Sequence, residues 1–196
     1  MIVIITGKAG SGKSTLRKKL LESLPSFTKS TSYTTREPRI DEVQNVDYIF
    51  VSHSEFANNE NIILKREESG NMYGVDKCSL QQKNIITILD VNGINEINNL
   101  LPNEQIVLIC LEAPNRVLIQ RMQERGSGLR KIYERLTADK GLVFDNLKEQ
   151  FKNFPILSLN TTQPIEGTVQ QSIDFIKNTC ISNLVATLKQ NRNNRS

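Results

Sequence analysis

The chain has 196 residues, 38% of them hydrophobic and 23% charged, with a formal net charge of +4. That length suits one domain with insertions, and the longest apolar run, Ile106 to Leu111, falls far short of the ~18 residues a membrane span needs. Three widely spaced cysteines, Cys78, Cys110 and Cys180, and a lone histidine, His53, exclude a disulfide framework, a zinc pattern and histidine-based acid–base chemistry. The charge is modest and no basic stripe carries interleaved aromatics, so nucleic acid and membrane are not the expected partners. A reducing, cytoplasmic setting is expected, as a monomer or homodimer.

The first expected element is an apolar strand, Ile2 to Thr6. Gly7-Lys8-Ala9-Gly10-Ser11-Gly12-Lys13-Ser14 follows it, and a helix is expected from Ser14 to Leu24, ended by Pro25. The pattern G-x-x-x-x-G-K-[ST] between a strand and a helix is a phosphate loop. Glycines clear side chains from the path of a phosphate chain and allow positive φ. Loop and first-turn N–H groups then point at the anion. Lys13 adds a full charge near the β- and γ-phosphates, and the Ser14 hydroxyl suits the shell of Mg²⁺. Gly7 to Thr15, which takes in Lys8, Ala9, Gly10, Ser11 and Gly12, is therefore expected to bind a nucleoside triphosphate with Mg²⁺; the family resemblance given below implies that it is ATP.

Phe27 to Ser32 reads as a second strand. Thr34-Thr35-Arg36-Glu37-Pro38-Arg39 is neither helical nor alternating, and it suits a stiffened loop presenting two guanidinium groups to one anion. Asp47 to Val51 is strand-like, Ser54-Glu55-Phe56 opens a short helix, Ile62 to Lys65 is a short element, and Asn71-Met72-Tyr73-Gly74 reads as a turn. Alternation resumes with a strand at Ile85 to Leu89 ending in Asp90, a helix at Gly93 to Leu101 and a strand at Gln105 to Leu111. A helix from Pro114 to Arg125 is broken by Gly126-Ser127-Gly128. A longer helical stretch, Leu129 to Phe151, carries cations at 130, 131, 135 and 140. Ile156 to Leu159 is the last core strand, Pro164 to Asn178 a closing helix, and 189–196 a frayed, disordered tail. Such alternation predicts an α/β fold with a parallel sheet covered by helices on both faces and ligands at its carboxyl edge.

Beyond the loop, the chain resembles the guanylate kinase family of nucleoside-monophosphate kinases. The resemblance rests on Gly7 to Thr15, on Ser32-Tyr33-Thr34-Thr35-Arg36-Glu37-Pro38-Arg39, on Asp47-Tyr48-Ile49-Phe50-Val51-Ser52, on Gly70-Asn71-Met72-Tyr73-Gly74, on Leu89-Asp90-Val91-Asn92-Gly93, and on Arg121 with Arg125-Gly126. It implies a core kinase domain over 1–32 and 78–185, a small mixed α+β acceptor-binding insert over 33–77 and a short lid at 126–131. It implies that Ser32, Arg36, Arg39, Tyr48, Tyr73 and Asp90 hold a phosphorylated acceptor, with Asp90 reaching the metal through water. It also implies that Lys13, Arg36, Arg121, Arg125 and Arg135 serve catalysis, the last three through the lid. The activity so implied is ATP-dependent phosphoryl transfer to a nucleoside monophosphate, GMP or dGMP first. The alternatives are a kinase of another phosphorylated small molecule, such as a different deoxynucleotide or a ribose bisphosphate, and a non-catalytic binding module of the same fold.

The departures from the family pattern concern the base. Leu64 stands where the family has a carboxylate that pairs with guanine, and Val75 stands for a small hydroxyl residue. The strand end keeps one acid, Asp90, and the lid is the short Gly126-Ser127-Gly128-Leu129. Glu60, Glu67 and Glu68 are the carboxylates nearby that could substitute. A site without its buried hydrogen-bonding partners loses base discrimination by orders of magnitude.

Overall fold

The computed structural model describes residues 1–40, 42–68, 70–139 and 144–193. Its centre is a five-stranded parallel sheet in the order β2 (Thr28–Lys29), β7 (Ile85–Ile88), β1 (Ile2–Gly7), β8 (Ile106–Glu112), β9 (Ile156–Asn160). β1 is buried along its whole length, so both faces of its apolar run must be covered. On one face Ile2, Ile4, Ile85 and Leu108 meet Ile94 and Ile97 of α3 (Val91–Leu100) and Leu147 of α6 (Phe144–Gln150). On the other, Val3, Ile5, Ile86 and Ile109 meet Leu16 and Leu20 of α1 (Lys13–Ser23) and Ile173 and Ile176 of α7 (Ile165–Asn193). Each fully buried isoleucine contributes about 2 kcal/mol by leaving water. Among the described residues no helix is long and apolar enough to cross a membrane.

A second sheet, β4 (Ile49–Phe50), β3 (Ser32–Thr34), β6 (Asn71–Asp76), β5 (Ile62–Glu68), stands over the carboxyl edge of the first. The expected strand from Phe27 to Ser32 is split between the sheets: Thr28 and Lys29 pair with β7, whereas Ser32 to Thr34 pair with β6. The crossover is pinned by Ser30 Oγ donating to Thr87 Oγ1 at 2.7 Å and Thr31 N–H donating to Ser79 Oγ at 3.1 Å. The short helix α2 (His53–Asn58) starts with a capping box, Ser52 and Glu55 bonding each other's backbone N–H.

Several expectations are corrected. Asn71 to Gly74 is strand, not turn, because it has partners on both sides in β3 and β5; the reversal is at Gly70, φ 74°. Gly74 is needed there for close approach, since a Cβ would meet Ile62 Cγ2 at 2.2 Å. Between Ile63 and Arg66 the β5–β6 register slips by one residue, a bulge with buried Leu64 at φ 52°. The helical stretch after Gly128 is two helices, α5 (Leu129–Ala138) and α6, with Lys140 outside the described residues. α4 (Asn115–Glu124) has Pro114 as its N-cap. Helix α7 continues to Asn193 instead of ending at Asn178, so 189–193 are helical in backbone; the rest of the expected tail, 194–196, lies outside the described residues.

Candidate active site at the carboxyl edge of the parallel sheet

β1 ends at Gly7 and α1 begins at Lys13, so the phosphate loop sits where the parallel strands end. A Cβ on Gly7 (φ 140°) would meet Leu111 O at 2.4 Å, which rules out any other residue at this turn. Lys13 Nζ donates to Gly7 O at 2.6 Å and Lys8 O at 2.9 Å, folding back over its own loop. Burial, helped by Arg66 and Arg135, pushes the Lys13 ammonium down to about 8, against the pull of Asp139 and Glu68. The Ala9 N–H donates to Asp139 Oδ2 at 2.7 Å. A carboxylate from the C-cap of α5 thus rests on an amide of the loop, as expected of an anion cradle.

The second cradle grows from β3. Thr34 Oγ1 donates to Met72 O at 3.0 Å and accepts from Arg36 N–H at 3.2 Å, which fixes where the arginine loop leaves the sheet. Arg36 is 8% exposed and grips Glu42 with one nitrogen, at 2.9 and 2.8 Å to the two carboxylate oxygens. Burial works to lower its pKa, but the bonds and charge of Glu42 outweigh that and raise it. Its guanidinium carbon lies 5.7 Å from the Tyr48 ring centre and 5.8 Å from that of Phe50. Arg39 reaches Glu42 at 3.5 Å; burial and then the nearby Arg36 hold its pKa down. Two guanidinium groups share one carboxylate, which leaves capacity for a second anion.

A third network joins β5 of the second sheet to Asp90 at the start of α3 and to α5. The β5 bulge aims Arg66 at the site, where it donates to Asp90 Oδ2 at 3.1 Å and packs 5.1 Å from the Tyr73 ring centre. Burial lowers the Arg66 pKa, and Asp90 and Glu68 more than restore it. The other oxygen of Asp90 accepts Gly93 N–H at 2.8 Å, capping α3. Arg135, 9% exposed, bridges from α5 to Glu68 at 3.1 Å.

One cavity collects these parts. Gly7, Ala9, Gly10, Gly12, Lys13 and Ser14 line one side; Arg36, Arg39, Tyr48 and Tyr73 line another; Asp90, Arg125 and Arg135 close it. Six cationic side chains line it against three carboxylates, Glu68, Asp90 and Asp139. Some expected residues lie elsewhere. Ser11 and Thr15 line an adjoining pocket, and Arg121 lines that pocket rather than the main cavity. Arg121 donates to Thr161 Oγ1 at 3.1 Å, to Thr161 O at 2.5 Å and to Gly10 O at 3.4 Å, so it ties β9 to the loop from behind. Lys8 lies outside both linings. Ser32 lines a deeper recess with Leu64 and Val75. Glu60 and Glu67 are exposed, and Glu68 is committed to Arg135.

Sequence reasoning missed Arg66, Glu42 and Asp139. Each acts through a partner distant in the chain or hidden by the bulge, and no local pattern marks it.

The residues present fit a metal of the Mg²⁺ type. The Ser14 hydroxyl lines the cavity, and no cluster of three or more His, Cys, Asp or Glu able to hold an ion exists among the described residues. Mg²⁺ keeps most of its waters and rests on phosphates with one or two protein ligands, so one hydroxyl suffices.

A parallel sheet with a glycine loop at its carboxyl edge, facing a second arginine cradle on a small separate sheet, defines a phosphate-loop kinase. The comparisons with known proteins agree. The family model "Guanylate kinase" matches residues 1–170, and the chain belongs to the guanylate kinase family. It is 30% identical over 145 residues to the guanylate kinase of Nitrosomonas europaea, covering 70% of this chain and 72% of that one. It is 36% identical over 148 residues to that of Sus scrofa, covering 70% and 74%. It is 38% identical over 140 residues to that of Chlamydia felis, covering 63% of this chain and 64% of the relative, just under two thirds of its length. The crystal structure of guanylate kinase from Anaplasma phagocytophilum shares the fold, with a TM-score of 0.65 at 22% identity over 91% of this chain and 85% of that one.

Proposed function

We propose that this member of the family transfers the γ-phosphoryl group of ATP to GMP or dGMP. The observation that carries the reading is the single cavity lined both by Lys13 with its loop and by Arg36, Arg39, Tyr48 and Tyr73. The donor's phosphates take the loop N–H groups, displacing the Asp139 carboxylate from Ala9, and Lys13 turns from the Gly7 and Lys8 carbonyls to the phosphate oxygens. The adjoining pocket, which shares Gly12 and Arg125 with the cavity, takes the donor's nucleoside. Arg36 and Arg39, already oriented by Glu42, hold the acceptor's phosphate, with the Tyr48 and Tyr73 hydroxyls as further donors.

The acceptor is a phosphate anion, so the protein needs no general base. Its work is to align the attacking oxygen with the γ-phosphorus and to place charge on the equatorial oxygens. Lys13, Arg125 and Arg135 supply that charge, and the insert at 33–77 and the lid at 126–131 close to exclude water. Ser14, and Asp90 through water, would hold Mg²⁺, which would help neutralise the phosphate oxygens. An enzyme-linked assay of ADP release with GMP, dGMP, AMP, dTMP, CMP and UMP tests the reading: turnover with GMP or dGMP supports it, and no turnover with any of the six removes it. The buried apolar pair Leu64 and Val75 in the recess favours one second reading, a different phosphorylated acceptor such as a ribose bisphosphate. Turnover confined to a sugar phosphate would select it.

A further inference from the structure

The recess behind the acceptor cradle holds a charge that the chemistry above does not use. Arg17, on α1 one turn past the phosphate loop, is 5% exposed. Among the described residues no hydrogen bond, ion pair or ring contact reaches its guanidinium. Burial holds its pKa down, opposed by Tyr48 and then by Asp47, whose carboxylate accepts the Val43 N–H at 3.0 Å. The groups that line the recess with it include Ser32, Tyr33, Leu64, Val75 and Gly93, and the recess opens into the main cavity past Tyr48, Tyr73 and Asp90. None of its nitrogens is sealed off from the recess, so the guanidinium faces that space with its donors open to whatever occupies it.

We infer that Arg17 is a specificity-determining residue that reads the 6-oxo edge of a purine acceptor. This rests on the reading above that a nucleoside monophosphate occupies the acceptor side. The walls Leu64 and Val75 suit the faces of a flat ring and offer nothing to a bare phosphate. A guanidinium only donates, and its two-pronged geometry matches a pair of ring-edge acceptors such as O6 and N7 of a 6-oxopurine. Adenine presents an amino donor at that edge and opposes Arg17 donor to donor. Asp90, the carboxylate in the recess lining, is turned to Arg66, to the Gly93 N–H and, in the reading above, to a metal-bound water rather than to a base. The acidic partner that would recognise the purine 2-amino group is therefore missing, and the site is blind to that group: hypoxanthine and guanine nucleotides are equivalent acceptors.

The test is kcat/KM with ATP and Mg²⁺ for GMP, IMP and AMP, on the wild type, Arg17→Met and Arg17→Lys, with Tm recorded for each. The wild type is expected to use IMP within about tenfold of GMP and to use AMP at least 100-fold less well, as a polar mismatch in a buried site demands. Arg17→Met is expected to lower kcat/KM for GMP and IMP together by roughly 10- to 150-fold, the worth of a charged hydrogen bond. It should leave AMP unchanged and Tm no lower, with Arg17→Lys between. GMP turnover with IMP more than 100-fold poorer would overturn the inference. An unaltered GMP-to-AMP ratio in Arg17→Met would do the same, and so would a failure of that variant to fold, since it would make Arg17 a structural residue. Wild-type protein that turns over none of the three would instead remove the acceptor reading on which the inference stands.

Discussion

Lys13 gives the sharpest handle on the donor site. In the unliganded protein burial has pushed its ammonium from the ordinary 10.5 down to about 8. Below pH 8 the folded and unfolded chains both carry this proton, and the folded protein bears the whole cost of burying the charge, about 3 kcal/mol. Between pH 8 and 10.5 the folded protein sheds the proton first, so this contribution makes the unliganded protein more stable as pH rises through that window. A triphosphate reverses the balance by supplying the counter-charge that the two carbonyls lack. If the bound form always carries the proton, ATP affinity follows the protonated fraction of the free protein, about 0.9 at pH 7 and about 0.1 at pH 9. ATP should therefore bind about tenfold more weakly at pH 9 than at pH 7, taking up about 0.9 of a proton at the higher pH. Titration calorimetry at both pH values, in buffers of different ionisation enthalpy, reads affinity and proton uptake together. Lys13→Met serves as the control: it should bind ATP poorly, show no dependence of affinity on pH beyond the nucleotide's own, and be more stable than the wild type without ligand at pH 7. Equal ATP affinity at pH 7 and 9 with no proton uptake would refute the reasoning.

Three further changes probe other contacts. Asp139→Ala frees the Ala9 N–H and removes a carboxylate that competes with donor phosphates, so the Kd for ATP should fall about tenfold; weaker ATP binding would instead make Asp139 a partner of the loaded site. Glu42→Gln strips the charge from the clamp on Arg36, whose side chains are only 14% and 9% exposed. It should cost about 2 kcal/mol, lower Tm by about 4–8 °C and raise the KM for GMP; an unchanged Tm and KM would show that the clamp neither supports the fold nor positions Arg36. Gly74→Ala drives a methyl into Ile62 and Phe56, which should cost about 1–3 kcal/mol. Differential scanning should record a lower Tm, and the acceptor KM should rise while the ATP Kd stays put; a loss confined to ATP binding would mean the two sheets are coupled in some other way.

The parts that could be read from sequence are those whose chemistry is contiguous. The phosphate loop announces itself because its glycines, Lys13 and Ser14 must follow one another between a strand and a helix. Arg36 and Arg39 stood out because Pro38 sets them in one stiff loop. Asn71 to Gly74 misled because its local composition suits a turn, whereas pairing with β3 and β5 on either side makes it a strand. The Leu64 bulge was illegible, since leucine has no tendency toward positive φ and only the register between two strands reveals it. Contacts such as Asp139 to Ala9, 130 residues apart, or Arg66 to Asp90 exist only once the chain has folded. Nothing local sets Arg17 apart from Lys18 and Lys19 in the sequence; it lines the recess with Ser32, Tyr33 and Leu64 only once the chain has folded.

The account's central claim is that donor and acceptor phosphates meet in one cavity, between the loop of Lys13 and the arginines of the insert. Steady-state turnover of GMP with ATP and Mg²⁺, compared between wild type and Arg36→Ala, tests it most directly. The account predicts ADP and GDP formed in equal amounts by the wild type, and in the variant a fall in kcat/KM for GMP of at least 100-fold with ATP affinity unchanged. GMP turnover that survives Arg36→Ala undiminished would contradict it.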